Sequence, residues 1–295
     1  MGLRIRTNVA AIKANRHLEN TTKNSETNME KLSSGYRVNK AADDAAGMAI
    51  TEKLRAKVTS AEQAKRNTQD GISLIQVAEG SYNEITNVLV RLRELATQAA
   101  SDTISNTERS YANKEYTELV NEIDRIANST EFNGRLLLKG PEENDDLEEL
   151  GIHVGVGDAS QPNTDDILVN LKQIQVDAKN VMGLGTDAEI GPIDPEEDAF
   201  TREQAAEKIT NIDRHLRLVA TNRSYLGSKQ SRLTSAANNL AVNIENTHSS
   251  KSRIKDVDFA VETAKFTQNK ILSSSGVSVL SHANSFPDLV LGLLR

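Results

Sequence analysis

Side chains that could bind a metal or act as catalytic acids and bases are scattered along this 295-residue chain. No two histidines lie four residues apart and no His-Glu-x-x-His sequence occurs, so a zinc site is not indicated. The five histidines are His17, His153, His215, His248 and His282. The chain has no Cys, which excludes disulfides, thiolate metal sites and Cys nucleophiles. With no Gly-x-Ser-x-Gly sequence and no P-loop either, the sequence predicts no enzyme, no metal and no cofactor.

Two further patterns are more typical of loops than of ligand sites. The acidic run Glu142–Glu149 lacks the alternating Asp or Asn residues, central Gly and final Glu of an EF-hand loop. The sequence Gly155-Val-Gly157 lacks the third glycine of a dinucleotide-binding fingerprint. The acidic run is therefore interpreted as a solvated loop, and the two glycines do not indicate a nucleotide site.

Composition favours packed helices over a thick globular core. Aromatic residues make up 3% of the chain and there is no Trp, whereas Ala is abundant. Residues 141–200 hold four of the five prolines and carry 2 basic against 16 acidic residues, which gives that segment a charge of −14. Such a charge does not favour nucleic-acid binding. No apolar run reaches the length of a membrane span, and the first thirteen residues lack the apolar stretch of a cleavable signal peptide.

Apolar residues repeat every 3.5 residues over long stretches on both sides of the acidic segment, which predicts helices that pack along a seam. The stripe before that segment comprises Ile50, Leu54, Val58, Ala61, Ala64, Thr68, Ile72, Ile75, Ala78, Tyr82, Ile85, Leu89, Leu92, Ala96 and Ala99. A shorter one comprises Tyr116, Leu119, Ile123 and Ile126. The stripe after it comprises Ile209, Ile212, Leu216, Val219, Arg223, Leu226, Gln230, Leu233, Ala237, Leu240, Ile244 and Thr247.

Both chain ends carry a further apolar stripe that a short isolated helix could not bury. Both stripes therefore require partner helices. They include Ile5, Val9, Ile12, Leu272, Val279, Ala283, Phe286, Val290 and Leu293.

Helix caps and a hairpin complete the predicted elements. Asp43 or Asp44 is expected to cap the helix that carries Ile50, and Thr201 with Gln204 has the pattern of a capping box. Alternation of apolar residues around 152–156 and 167–171 predicts a β-hairpin in the middle of the chain.

Three segments resemble the signatures of the bacterial flagellin family. Residues 31–50 read KLSSGYRVNKAADDAAGMAI, and the chain end runs from SRIKDVDFA at 252–260 to LGLLR at 291–295. Between them lies EFNG at 131–134, with three leucines at 136–138. The resemblance covers about residues 1–140 and 200–295.

The resemblance implies a mainly α fold, a coiled-coil-like bundle built from both chain ends with a small β-hairpin region in the middle. It implies five segments: 1–42 and 251–295 form the inner domain with its spokes, 43–140 and 201–250 form the rod, and 141–200 is the acidic segment. Because that segment is short, a flagellin without large outer domains is expected.

The resemblance also implies a function: an extracellular subunit that polymerises with itself into the flagellar filament for swimming motility. The two terminal stripes, from Ile5 to Ile12 and from Leu272 to Leu293, are then the predicted polymerisation residues. Implied partners are the filament cap and hook–filament junction proteins, an export chaperone and the type III export apparatus. Two alternatives stay open, a hook–filament junction protein and a secreted coiled-coil binding protein. Contact with a host Toll-like receptor is expected through Arg91, Leu95 and Glu115, which match the receptor-binding block of the family.

Overall fold

The computed structural model describes residues 8–139, 149–157, 165–176 and 202–293. The helices within these ranges are α1 (Val9–Ser34), α2 (Ala45–Ala99), α3 (Asn106–Ser129), α4 (Arg202–Lys255) and α5 (Phe259–Leu293). The strands are β1 (Glu131–Phe132), β2 (Arg135–Leu136), β3 (Glu149–His153) and β4 (Asp166–Asn170). The predicted mainly helical fold with a small hairpin region is therefore confirmed. None of the helices in the described ranges is both long and apolar enough to cross a membrane.

The chain divides into two compact units. The first comprises Met1–Thr59 and Glu245–Arg295, so it is built from both chain ends, and the second comprises Ser60–Ile244. Helices α2 and α4 each contribute residues to both units. The division into five segments made from the sequence stays a prediction.

In the second unit the predicted stripes of α2, α3 and α4 meet in one apolar core. Side chains without solvent exposure include Ile75, Tyr82, Ile85, Leu89, Leu92, Tyr116, Ile123, Ile212 and Leu233. Apolar residues at a spacing of three and four place one face of each helix toward its neighbours, and burial of these faces stabilises the unit.

The predicted β-hairpin covers part of this core. Strands β3 and β4 pair antiparallel with Ile152 opposite Ile167 and Leu150 opposite Val169. Ile152, Ile167 and Val169 are buried because alternate side chains of each strand point to the same face. Gly71 of α2 lies directly beneath Ile152, and a Cβ atom at this glycine would come within 2.6 Å of Ile152 Cδ1. The hairpin predicted from the sequence is confirmed.

Tyrosine hydroxyls attach the hairpin region to the helices. The buried Tyr82 hydroxyl donates to the carbonyl oxygen of Ile174 and accepts from Asn222 Nδ2 at 3.2 Å. The Tyr225 hydroxyl accepts from the backbone N–H of Asn170 at 3.0 Å. Burial raises the pKa of Tyr82 because the phenolate would lose its hydration. Tyr82 therefore stays protonated and can donate this hydrogen bond over the physiological range of pH.

The sequence EFNG forms a second, very short hairpin. Strands β1 and β2 pair through Phe132 and Arg135, and the two residues between them, Asn133 and Gly134, have φ angles of 53° and 76°. Positive φ at both central positions is the signature of a tight type I′ turn, which Asn-Gly adopts more readily than other pairs. The turn directs Leu137 and Leu138 into the core, where both are fully buried.

Two predictions about α2 have different outcomes. Asp44 caps the helix, since its carboxylate accepts from the backbone N–H of Gly47 at 2.8 Å. The prediction that Ile50 belongs to the buried stripe is wrong: Ile50 is 50% exposed and Thr51 is buried instead. The Thr51 hydroxyl donates to the carbonyl of Met48, so burial leaves this polar group satisfied. The predicted capping box of residues 201–204 lies outside the described side chains.

Candidate functional site: the terminal helices

Helices α1 and α5 pack against each other along a narrow seam in the first unit. On α1 the side chains at the seam repeat every three or four residues and are mostly small: Ala11, Ala14, Leu18, Thr21, Ser25, Asn28 and Leu32. On α5 the seam consists of Glu262, Phe266, Asn269, Ser273, Gly276, Leu280 and Ala283. The alternating spacing is that of the a and d positions of a coiled coil, so the two terminal helices form a coiled-coil hairpin. We call α1 and α5 together the terminal hairpin.

Residue numbers increase along α1 and decrease along α5 from one contact of the seam to the next. Asn8 Nδ2 donates to the carbonyl oxygen of Ala283 at 2.7 Å near one end. In the middle, a Cβ atom added at Gly276 would lie 3.2 Å from Leu18 Cδ1, so Leu18 fills the space that the glycine leaves. The helices are therefore antiparallel and closely packed, which small residues permit.

The large apolar side chains of the terminal hairpin lie mainly outside this seam. Those exposed to solvent by 48–62% are Val9, Ile12, Met29, Phe259, Val261, Ile271, Leu272, Val277 and Val279. We call this set the outer apolar face. Leu272, Val277 and Val279 occupy the positions that flank the seam of α5, where they would contact further helices in a multi-helix coiled coil. The hairpin therefore has more apolar surface than one antiparallel pair of helices covers.

Part of the outer apolar face forms a shallow groove along the first half of α5. Its apolar walls come from Phe259, Ala260, Ala264, Ile271 and Leu272 of the same helix. Contiguous exposed apolar surface of this kind is typical of surfaces that bind another protein. The groove contains no arrangement of acids, bases or nucleophiles. Its chemistry is that of helix packing.

The predicted polymerisation residues divide into three groups. Val9, Ile12, Leu272 and Val279 are exposed on the outer apolar face, whereas Ala283 lies half-buried at the seam with α1. Ile5 lies outside the described residues. The side chains of Phe286, Val290 and Leu293 also lie outside them, although the backbone there continues α5.

The two terminal signatures come together where α1 ends and α4 ends. Gly35 terminates α1 with a φ of 74°, and Tyr36 then forms a bridge with Asp256. The N–H of Arg37 donates to the carbonyl of Lys255 at 2.7 Å, and the N–H of Val257 donates to the carbonyl of Gly35 at 3.0 Å. These bonds tie the segments that follow the two helices, although more than 200 residues separate them in sequence.

A set of local bonds shapes the loop from Tyr36 to Asp44. The Asp43 carboxylate accepts from the backbone N–H groups of Lys40 and Asn39, and these bonds hold the pKa of Asp43 below its usual value. Lys40 donates to Glu30 of α1, which likewise lowers the pKa of Glu30. The acidic and basic residues of this signature therefore have structural partners within the first unit.

Family comparisons agree with this arrangement of the chain ends. A model of the bacterial flagellin N-terminal helical region matches residues 5–143, and a model of the flagellin C-terminal helical region matches residues 209–294. The chain is also 38% identical to a flagellin of Halalkalibacterium halodurans over 288 residues, 98% of each chain.

The chain belongs to the bacterial flagellin family.

Another relative and one solved structure extend the comparison. A flagellar filament 33 kDa core protein of Treponema phagedenis is 37% identical over 293 residues, which cover 98% of each chain. A structure from Vibrio parahaemolyticus described as a flagellar hook-associated protein aligns with a TM-score of 0.58 over 72% of this chain and 100% of that chain. Because it is only 14% identical, it shows a shared fold and nothing about function. The family predicted from the sequence motifs is confirmed.

The block expected to contact a Toll-like receptor lies in the second unit of this flagellin. Arg91 donates to Glu115 of α3 at 2.7 Å and to Glu94 at 3.1 Å, and all three are exposed. Leu95 is only 2% exposed and packs in the core. The charged pair is thus available at the surface, whereas Leu95 contributes to stability. The receptor contact itself stays a prediction.

Polar residues in the seam were missed by a search for apolar stripes. Asn28 and Glu262 are 8% and 5% exposed and lie at seam positions, yet neither is apolar. The signal that would have found them is the spacing of small and polar residues on α1 and α5, which keeps the same three-and-four alternation as an apolar seam.

Proposed function

We propose that this chain is the structural subunit of a bacterial flagellar filament and that it polymerises through the outer apolar face of its terminal hairpin. The observation that carries the proposal is the division of side chains on α1 and α5. Ten of the fourteen seam residues are small or polar, whereas nine large apolar residues of these helices lie outside the seam and are exposed. Membership of the flagellin family and a curated relative named as a filament core protein support the same conclusion.

Burial of the outer apolar face provides the driving force for assembly. A Val, Leu or Ile side chain that is about half exposed gains roughly 1 kcal/mol when a neighbour covers it. Seven such side chains, together with Met29 and Phe259, lie on the described part of the hairpin, which is more than one weak contact needs. A contact between different surfaces of identical subunits, repeated without closing into a ring, produces an open helical polymer. This is the geometry of a filament.

The remaining parts of the proposal follow from the family. The subunit is extracellular, has no catalytic activity, and reaches the filament tip through the type III export apparatus after release from an export chaperone. The filament cap and the hook–filament junction proteins are its other partners. Exposed apolar helices support the need for a chaperone, because they would otherwise associate before export.

Val279→Asp, with Val242→Asp as a matched control, tests the polymerising surface. Both valines are 57% exposed, but Val279 lies on α5 of the terminal hairpin and Val242 lies on α4 in the second unit. Burial of an unpaired carboxylate at an interface costs several kcal/mol, so Val279→Asp should abolish filaments while the thermal stability of the free chain changes little. Val242→Asp should still assemble. Electron microscopy of the purified chains provides the readout.

Filaments formed normally by Val279→Asp would contradict the proposed surface. Equal loss of stability in the free chain would instead place Val279 in the subunit's own core. A ring or short cap formed by the unmodified chain would favour the hook–filament junction alternative. A truncated chain that ends at residue 275 and still assembles would favour a secreted coiled-coil protein of another kind.

A further inference from the structure

Three polar side chains form a layer across the seam of the terminal hairpin. With its amide oriented so that both atoms are satisfied, Asn28 donates to Glu262 Oε1 at 2.9 Å and accepts from Asn269 Nδ2 at 3.0 Å. Lys265 Nζ lies 3.2 Å from the other carboxylate oxygen of Glu262. We call Asn28, Glu262 and Asn269 the polar layer. It is the point where the seam buries a charge.

Away from the backbone hydrogen bonds that join residues 35–38 to residues 255–257, the seam distinguishes only weakly between axial positions of the two helices. Leu18 packs over Gly276, and a shift of one heptad would bring it near Ala283, another small residue. Counted from the same contact, Leu280 lies opposite Ala14 and would move opposite Thr21. The large residues Leu18 and Leu280 therefore face small residues in both positions and discriminate weakly between one register of the coiled coil and the next.

The polar layer does distinguish the registers. A one-heptad shift that carries Leu18 toward Ala283 would move Asn28 toward Gly276 and leave Glu262 facing residues beyond Ser34, the last residue of α1. The carboxylate would then lose its amide partner on α1 and keep only Lys265 of its own helix. The register that keeps the hydrogen bond between Asn28 and Glu262 is favoured, and buried polar residues in coiled coils act as register determinants for this reason.

We infer that the polar layer is the side-chain determinant that holds α1 and α5 in a single axial register. The layer thereby fixes the axial position of Val9 and Ile12 on α1 relative to Leu272 and Val279 on α5. The outer apolar face is complete only when these two sets of residues lie at the correct relative axial position. The inference concerns contacts within one chain, so it is independent of what the chain assembles into.

The axial register can be measured with two spin labels, because the chain has no Cys and labelling is specific. Lys13→Cys on α1 and Lys270→Cys on α5 are exposed and lie at different heights along the hairpin. A slip of one heptad changes their axial offset by about 10 Å at 1.5 Å per residue. Pulsed electron–electron double resonance is recorded on the full-length chain. One sample holds the free chain, and a second holds assembled material in which labelled subunits are a minority among unlabelled ones.

The chain with an unmodified polar layer should give a single distance between the two spin labels. Asn28→Leu with Glu262→Leu should add a second population displaced by about 10 Å, since the seam then lacks its register determinant. Glu262→Gln should keep the single distance because the amide oxygen still accepts from Asn28. As a further control, Glu26→Leu removes an exposed charge from α1 and should have no effect.

A single unshifted distance in the double Leu variant would overturn the inference, as would the same broadening in Glu26→Leu. Because the readout is a distance within one chain, it differs from the loss of filaments that tests the proposed function. A variant that assembles poorly is still measured in its free form.

Discussion

Replacement of Gly71 by Ala tests how the β3–β4 hairpin is seated on α2. A Cβ atom at this position would lie 2.6 Å from Ile152 Cδ1, 3.1 Å from Cγ2 and 3.3 Å from Cγ1. Rotation of the ethyl group can relieve the first contact, but the branch at Cβ of Ile152 keeps Cγ1 and Cγ2 close. The hairpin must therefore move away from the helix, and its attachment to α2 and α4 through the tyrosine hydroxyls resists this movement.

Two effects of opposite sign determine how much Gly71→Ala changes the free energy of unfolding. Ala is favoured over Gly inside a helix by about 1 kcal/mol. Overpacking of a well-packed site costs about 1–3 kcal/mol. Gly80 of the same helix is the matched control, because nothing lies within 4 Å of a Cβ atom there. Gly80→Ala should stabilise the chain by up to about 1 kcal/mol, and Gly71→Ala should be less stable than Gly80→Ala by about 1–3 kcal/mol.

Urea unfolding followed by far-UV circular dichroism measures both variants. A double-mutant cycle identifies the cause: Ile152→Val removes Cδ1 and costs about 0.5–1.5 kcal/mol in the unmodified chain. In the Gly71→Ala background the same change should cost much less, because it relieves the clash. If Gly71→Ala is as stable as Gly80→Ala, or if Ile152→Val costs the same in both backgrounds, the proposed close packing is incorrect.

Three further changes test single features of the second unit. Tyr82→Phe should lower the free energy of unfolding by about 1–3 kcal/mol in urea titrations, because a buried carbonyl loses its donor. Ser105→Ala removes the capping box of α3 and should cost about 1 kcal/mol. Because the box lowers the pKa of Glu108, its contribution is present above about pH 4.5, the ordinary value, and is lost as the pH falls through the lowered pKa. The NMR-detected pKa of Glu108 should rise in Ser105→Ala, and an unchanged pKa would contradict the capping role. Gly134→Ala, at a φ of 76°, should cost about 1–2 kcal/mol by thermal unfolding, since only glycine adopts this conformation without strain.

Helices and hairpins were predictable from the sequence because their signals are local. Alternation of three and four in α2, α3 and α4 identified the buried faces, and the period of two identified Ile152, Ile167 and Val169. The error at Ile50 arose because an apolar residue next to a β-branched Thr was assigned to the core. Thr51 can be buried there only because its hydroxyl reaches the carbonyl of Met48, and such a bond is not visible in a hydropathy pattern.

The terminal signatures identified a family before their contacts were known. That residues 35–38 bond to residues 255–257 could not be derived from either segment alone, since backbone pairing depends on how α1 and α4 end in space. Likewise Leu95 and Arg91 are neighbours on one helix, yet only the packing of α3 shows that one is buried and the other pairs with Glu115.

For the terminal helices, the sequence by itself determined that both ends are helical and have more apolar surface than a single pair can bury. It did not determine which stripe of α5 faces α1, because apolar residues occupy the seam positions and the positions beside them. The tertiary structure decided this: Gly276 and Ala283 face α1, whereas Leu272 and Val279 face outward. The physical reason is close packing. Small residues let the two helices approach until Asn28 reaches Glu262, and in this packing Leu272 and Val279 stay exposed at the surface.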